Sequence, residues 1–72
     1  MENTMNTNLS IQNALDILRR EARGALRLGE KKKNEKYRNI MLEAERNVGI
    51  LGGDWPAMRE GFSREIADLM EL

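Results

Sequence analysis

Apolar residues recur at alternating spacings of four and three along the first part of the chain, which is the pattern of an amphipathic helix. This first run consists of Ile11, Leu15, Leu18, Ala22 and Ala25. It predicts a helix over residues 9–28 with one apolar seam, widened by Leu26. We expect Asn8 or Ser10 to be the N-cap, because a side-chain oxygen there can accept a hydrogen bond from an unpaired backbone N–H.

Two further runs predict two more helices. The second run consists of Tyr37, Met41, Ala44, Val48 and Leu51, with Ile40 beside it. The third consists of Trp55, Met58, Phe62, Ile66 and Leu69, with Met70 beside it. They predict helices over 34–51 and 54–71, separated by a stop at Gly52 and Gly53. Asp54 is a suitable N-cap for the last helix, and Pro56 is tolerated in a first turn.

The segment 29–34 has two interpretations, and the sequence leaves both open. In one, Gly29 is a left-handed C-cap and Asn34 is a new N-cap, so the fold is a three-helix bundle. In the other, the helix-forming residues 30–33 continue one helix over 9–51, about 60 Å long. In this second interpretation the protein would be a long–short helical hairpin, which has to dimerise to cover its apolar seam.

Chain length favours an all-α, dimeric protein with a single domain. A 72-residue chain has room for one domain, here 9–72 after a flexible N-terminal tail over 1–8, and its monomer should be only slightly stable. Cysteine and histidine are absent, so disulfides and the usual zinc or haem ligands are excluded, and oligomerisation is the remaining aid. Ile17, Gly24 and Leu28 form a second face, about a third of a turn from the main seam, that suits a homodimer.

Catalysis and membrane insertion are not expected. Ser10 and Ser63 are the only serines, and neither lies in a Gly-x-Ser-x-Gly motif. The glycines at 49, 52 and 53 lack the lysine and hydroxyl of a phosphate-binding loop. We therefore predict no catalytic residue, no cofactor and no metal. The sequence shows neither an apolar leader nor a run of about 18 apolar residues, which favours a cytoplasmic protein.

Charge is unevenly distributed although the net charge is zero. Residues 19–38 contain nine of the twelve basic residues and three of the twelve acidic ones. We define a basic ridge that consists of Arg19, Arg20, Arg23, Arg27, Lys31, Lys32, Lys33 and Lys36. Such a row can be a solvated helix face, or it can bind an acidic protein surface or nucleic acid phosphates. Trp55 is a second candidate contact, as an apolar anchor, although it can equally belong to the core.

Two resemblances bear on function. Residues 60–70, EGFSREIADLM, resemble the first helix of the helix-turn-helix in LuxR-type response regulators. In that family a turn and a recognition helix follow, and neither follows Met70 here, so we interpret the segment as an amphipathic helix. In layout, a short, cysteine-free, helical chain resembles the small bacteriophage proteins that inhibit host regulators, such as the anti-quorum-sensing type. That resemblance implies a dimeric, non-catalytic inhibitor that covers a surface of another protein.

Two hypotheses of function follow. The first is a homodimeric helical adaptor or inhibitor that binds a regulatory protein through the basic ridge or Trp55. The alternative is a small dimeric nucleic-acid-binding transcriptional regulator that uses the basic segment 19–38.

Overall fold

Three helices, α1 (Glu2–Gly24), α2 (Glu30–Ile50) and α3 (Trp55–Met70), make up the computed structural model, which describes residues 2–72 and the side chains from Asn8 onward. Because the described chain contains helices and no strand, the all-α prediction is confirmed. Consecutive helices are joined by short turns, as in a helical bundle.

The chain breaks between α1 and α2, so the three-helix interpretation is right and the continuous helix over 9–51 is wrong. Residues 25–27 form a turn in which the Leu28 amide donates to the Ala25 carbonyl at 3.1 Å. Gly29 then adopts an extended conformation (φ −65°, ψ 161°) and is the N-cap of α2. Gly29 is therefore not a left-handed C-cap, and Asn34, predicted to be the N-cap, lies inside α2.

The limits of α1 also differ from the predicted 9–28. The helix begins at Glu2 and ends at Gly24, so Asn8 and Ser10 are interior positions and neither is the N-cap. The backbone of residues 2–8, assigned to a tail, continues this helix. Met1 and the side chains before Asn8 lie outside the described part of the structure, and the flexibility of that segment stays a prediction.

The predicted stop at Gly52 and Gly53 is confirmed. Gly52 has a positive φ of 83°, its amide donates to the Gly49 carbonyl at 3.1 Å, and the Gly53 amide donates to the Val48 carbonyl at 2.8 Å. This pair of hydrogen bonds around a left-handed residue is a Schellman motif. A Cβ on Gly53 would lie 2.8 Å from Ile11 Cδ1 and 2.7 Å from Val48 Cγ1, so this turn packs closely against α1.

Both ends of α3 are capped. The Ala57 amide donates to Asp54 Oδ1 at 3.4 Å, and Pro56 lies in the first turn, as predicted. At the other end Glu71 is left-handed (φ 56°). Lys33 Nζ donates to the Met70 carbonyl at 2.7 Å, which places a cation at the negative end of the helix dipole. This bond brings the start of α2 next to the end of α3, so these two helices are antiparallel.

One apolar core joins the helices, and the predicted seams supply it. Its buried members are Ile11, Leu15, Leu18, Ala22, Ala25, Ile40, Ala44, Val48, Trp55, Phe62, Ile66 and Met70. Tyr37, Met41, Leu51, Met58 and Leu69 are half-buried against it. No polar or charged residue is buried among the described side chains. Among residues 2–72 no helix combines the length and the apolar character needed to cross a membrane.

Candidate partner-binding surfaces

The basic ridge lies at one end of the bundle. It begins in the last two turns of α1, passes through the 25–29 turn and continues into α2. Because the end of α3 is tied to Lys33, α3 also finishes at this end. The fold therefore places side chains from α3 beside parts of the ridge, and three ridge residues bind within the molecule.

The Arg19 side chain is largely enclosed, being only 17% exposed. Its Nε donates to Glu65 Oε2 at 2.8 Å, and its Nη1 donates to Asp16 Oδ1 at 2.6 Å. The guanidinium carbon lies 5.6 Å from the centre of the Phe62 ring, within cation–π range. Arg19 thus connects α1 to α3 and is occupied inside the protein.

Burial alone lowers the pKa of the Arg19 guanidinium, but the hydrogen bonds to Glu65 and Asp16 outweigh it and raise the pKa above its ordinary value. A raised pKa gives stability that is complete below the ordinary value and is lost only as pH rises through the raised one. Since both values are strongly alkaline, Arg19 stays a cation at every pH at which the protein would be studied.

Lys33 and Lys36 also have partners within the molecule. Lys33 donates to the Met70 carbonyl, and Lys36 Nζ lies 3.3 Å from Glu21 Oε1 on α1. Both side chains are half-buried. They hold the helices together at this end of the bundle, which is a structural role.

The side chains of the other five ridge residues are exposed and form no hydrogen bond or ion pair with the part of the chain whose side chains are described, residues 8–72. We call them the basic cluster, which consists of Arg20, Arg23, Arg27, Lys31 and Lys32. Three follow one another at spacings of three and four from α1 into the turn, and two lie in the first turn of α2. The cluster therefore presents five cations at one end of a molecule with zero net charge.

Trp55 belongs mainly to the core, being 8% exposed. Its ring meets the Phe62 ring edge-on, with the centres 6.2 Å apart and the planes at 68°. Its remaining surface lines a groove, so it is not a freely projecting anchor.

That groove lies between α2 and the start of α3, with a volume of about 300 Å³. It is lined by Tyr37, Arg38, Met41, Leu42, Glu45, Trp55 and Arg59. The Tyr37 and Ser63 hydroxyls are hydrogen-bonded to each other and hold α2 to α3 beside it. The predictions from sequence missed this groove, and the available signal was Leu42, an apolar residue outside the second seam.

The predicted second face of α1 is only partly right, because α1 ends at Gly24 and Leu28 lies beyond the helix, but its residues stay uncovered in the single chain. Ile17 is 57% exposed, Leu28 is 41% exposed, and Gly24 has no atom within 4 Å of a Cβ built on it. The α2 helix carries two more exposed apolar residues, Leu42 at 65% and Ile50 at 75%.

Comparison with known proteins adds no relative. No protein-family model, curated protein or solved structure matches the chain significantly. Within the described chain, no group of three acidic residues is arranged to hold a metal ion. Function is therefore inferred from the basic cluster, the groove and the exposed apolar faces.

Proposed function

We propose that this protein is a non-catalytic, homodimeric helical module that binds an acidic surface of a regulatory protein and blocks it, as an adaptor or phage-type inhibitor does. The observation that carries the proposal is the basic cluster, whose five exposed cations have no ion-pair partner among the side chains of residues 8–72.

The uneven charge of the chain favours one orientation of an acidic partner, because only residues 19–38 attract it. Outside residues 19–38 the sequence has nine acidic and three basic residues, so the charge is segregated along the chain. The five exposed cations attract an anionic surface to the part of the molecule where they lie, and such steering raises the rate of association. Arginine also recognises carboxylates through paired hydrogen bonds, and three of the five cluster residues are arginines.

Charge reversal tests the proposal. In Arg20→Glu/Arg23→Glu both substitutions are in the cluster, and the control Arg46→Glu/Arg64→Glu changes the net charge equally at exposed sites elsewhere. The control also breaks the Arg64–Glu60 ion pair, which is so exposed that it contributes little to stability. Both variants should keep wild-type helicity by circular dichroism. In affinity capture from the natural host with quantitative mass spectrometry, we expect the wild type and the control to enrich the same protein. The cluster variant should lose it. Equal enrichment by both variants would refute the role of the cluster.

The same five cations favour nucleic acid as the second candidate partner. Contacts to several phosphates give a steep, linear fall of log affinity with log salt concentration, whereas a protein target gives a shallower one. Because the net charge is zero, we expect no measurable duplex binding at about 150 mM salt. Micromolar binding under that condition, measured by fluorescence anisotropy, would favour the nucleic-acid regulator instead.

Dimerisation is proposed through the α1 face that contains Ile17. No described segment of the same chain covers this face, where Ile17 is exposed and the space around Gly24 is open. At low micromolar concentration we expect sedimentation as a dimer, at twice 8.3 kDa. Ile17→Glu should give a folded monomer, since Ile17 is 57% exposed, whereas Leu18→Glu should unfold the chain, since Leu18 is 2% exposed. A wild-type chain that sediments as a stable monomer would contradict the dimer.

A further inference from the structure

The groove between α2 and α3 combines an apolar floor with cations at its edges. We propose that it binds an amphipathic helix of the partner protein, with an apolar side chain seated beside Trp55 and carboxylates paired with Arg38 and Arg59. This inference rests on the proposed function, because it assigns a second contact to the same protein partner.

The floor suits an apolar side chain. Met41 and Tyr37 are half-buried and Trp55 is 8% exposed, so the core already orders these three largely apolar side chains. A volume of about 300 Å³ is at the lower end of the range for ligand-binding pockets and accepts one or two side chains. Leu42, which is 65% exposed, adds an apolar wall. Ordered apolar surface binds without a large loss of side-chain entropy.

The edges of the groove select for acidic partners. Arg38 and Arg59 are exposed, and neither forms an ion pair with another side chain between Asn8 and Leu72. Glu45 is the single carboxylate in the lining, so the groove has a net positive charge. A helix that places glutamates on both sides of its apolar stripe therefore complements it, whereas a helix with lysines there is repelled.

The shape of the groove favours a helix over an extended peptide. A peptide that binds by β-strand addition needs a sheet edge, and the described chain contains no strand. The groove follows two antiparallel helices, and their ridges accept a further helix at the usual packing angles. The exposed α1 face of a second copy would be a poor occupant, because Arg20 lies one turn from Ile17 and would meet Arg38 and Arg59 with like charge. The acidic neighbours of Ile17, Asp16 and Glu21, are already paired with Arg19 and Lys36.

Trp55 is the only tryptophan of the chain, so its fluorescence reports on this groove. The probe is a tryptophan-free designed helix of about 20 residues, with leucines spaced three and four apart and glutamates on both sides of them. Its comparison peptide has lysines in place of the glutamates. We expect a saturable change of Trp55 emission with the acidic peptide and an affinity at least about tenfold lower for the basic one.

Variants locate the binding. Leu42→Glu should abolish the titration, and Arg38→Glu/Arg59→Glu should reverse the preference between the two peptides. The control Ile50→Glu introduces the same charge at a residue that is 75% exposed on the same helix but outside the groove, and it should titrate like the wild type. The double charge reversal in the basic cluster should also leave peptide binding unchanged.

Three results would overturn the proposal: no saturable change with either peptide, equal affinity for both, or undiminished binding by Leu42→Glu. If Leu42→Glu, but not Ile50→Glu, abolished the self-association of the wild type, the groove would be assigned to a second copy. That result would also overturn the proposal. The proposed function is tested by a separate experiment. It fails if charge reversal in the basic cluster leaves capture of the host protein unchanged.

Discussion

Replacing each of three nearby glycines by alanine should change the free energy of unfolding in different directions. Gly49 lies inside α2, is exposed, and has no atom within 4 Å of an added Cβ. Gly52 has the left-handed φ of 83° that ends the helix, and Gly53 lies against Val48 and Ile11. The local backbone and packing, and not the residue type, therefore decide each effect.

The magnitudes follow from these positions. Gly49→Ala should stabilise the protein by about 0.5–1 kcal/mol, which is the difference in helix propensity. Gly52→Ala places a side chain in the left-handed region, which destabilises the folded state by about 1–2 kcal/mol. Alanine also reduces the conformational entropy of the unfolded chain, which stabilises the protein by roughly 0.4–1 kcal/mol. A net loss of about 1 kcal/mol is expected. Gly53→Ala should destabilise by about 1–3 kcal/mol, because stiff, β-branched Val48 has little freedom to move away.

The stability of all three variants can be measured by urea unfolding, monitored by circular dichroism and by the emission of Trp55. The midpoint should increase for Gly49→Ala and decrease for the other two, with an unchanged slope, since the surface exposed on unfolding is the same. In thermal unfolding, about 1 kcal/mol corresponds to a shift of roughly 4–8 °C for a domain of this size. A Gly52→Ala variant as stable as Gly49→Ala would refute the left-handed turn and the Schellman motif with it.

Three further predictions concern the core and the connections between helices. Ile66→Ala should cost about 2–5 kcal/mol, because the side chain is completely buried, and a urea midpoint close to wild type would contradict that burial. Asp54→Ala should lose about 1 kcal/mol through the N-cap of α3, measured in the same way, whereas Asp54→Asn should largely retain it. Arg19→Met keeps the apolar stem but removes the bonds to Glu65, so it should cost about 0.5–1 kcal/mol at low salt and less at 1 M NaCl. A loss independent of salt would contradict the ionic contribution.

The seams could be predicted from sequence because helical periodicity and burial have the same cause. Every member of the first run, from Ile11 to Ala25, is buried. The break before α2 could not be decided in that way, since residues 30–33 are good helix formers and Gly29 adopts an extended conformation that leaves no specific signal. Tertiary packing of the two seams against each other, which a local pattern does not contain, selects the turn.

The surfaces were predicted less completely, because their partners are distant in sequence. Arg19 and Arg20 are adjacent and identical in type, yet Arg19 binds Glu65, 46 positions away, while Arg20 stays exposed. The groove likewise requires α2 and α3 side by side. Sequence therefore identified the basic ridge but could not separate the cations that hold the fold from those free to bind another molecule.

The bond from Lys33 to the Met70 carbonyl has a consequence for the opening motions of the chain. A final helical turn normally frays independently of the rest of a domain. Here the last turn of α3 is tied to the first part of α2, so the two segments should open as one cooperative unit. Amide hydrogen exchange would show this as matched protection at both places, and acetylation of Lys33 would release the last turn to exchange on its own.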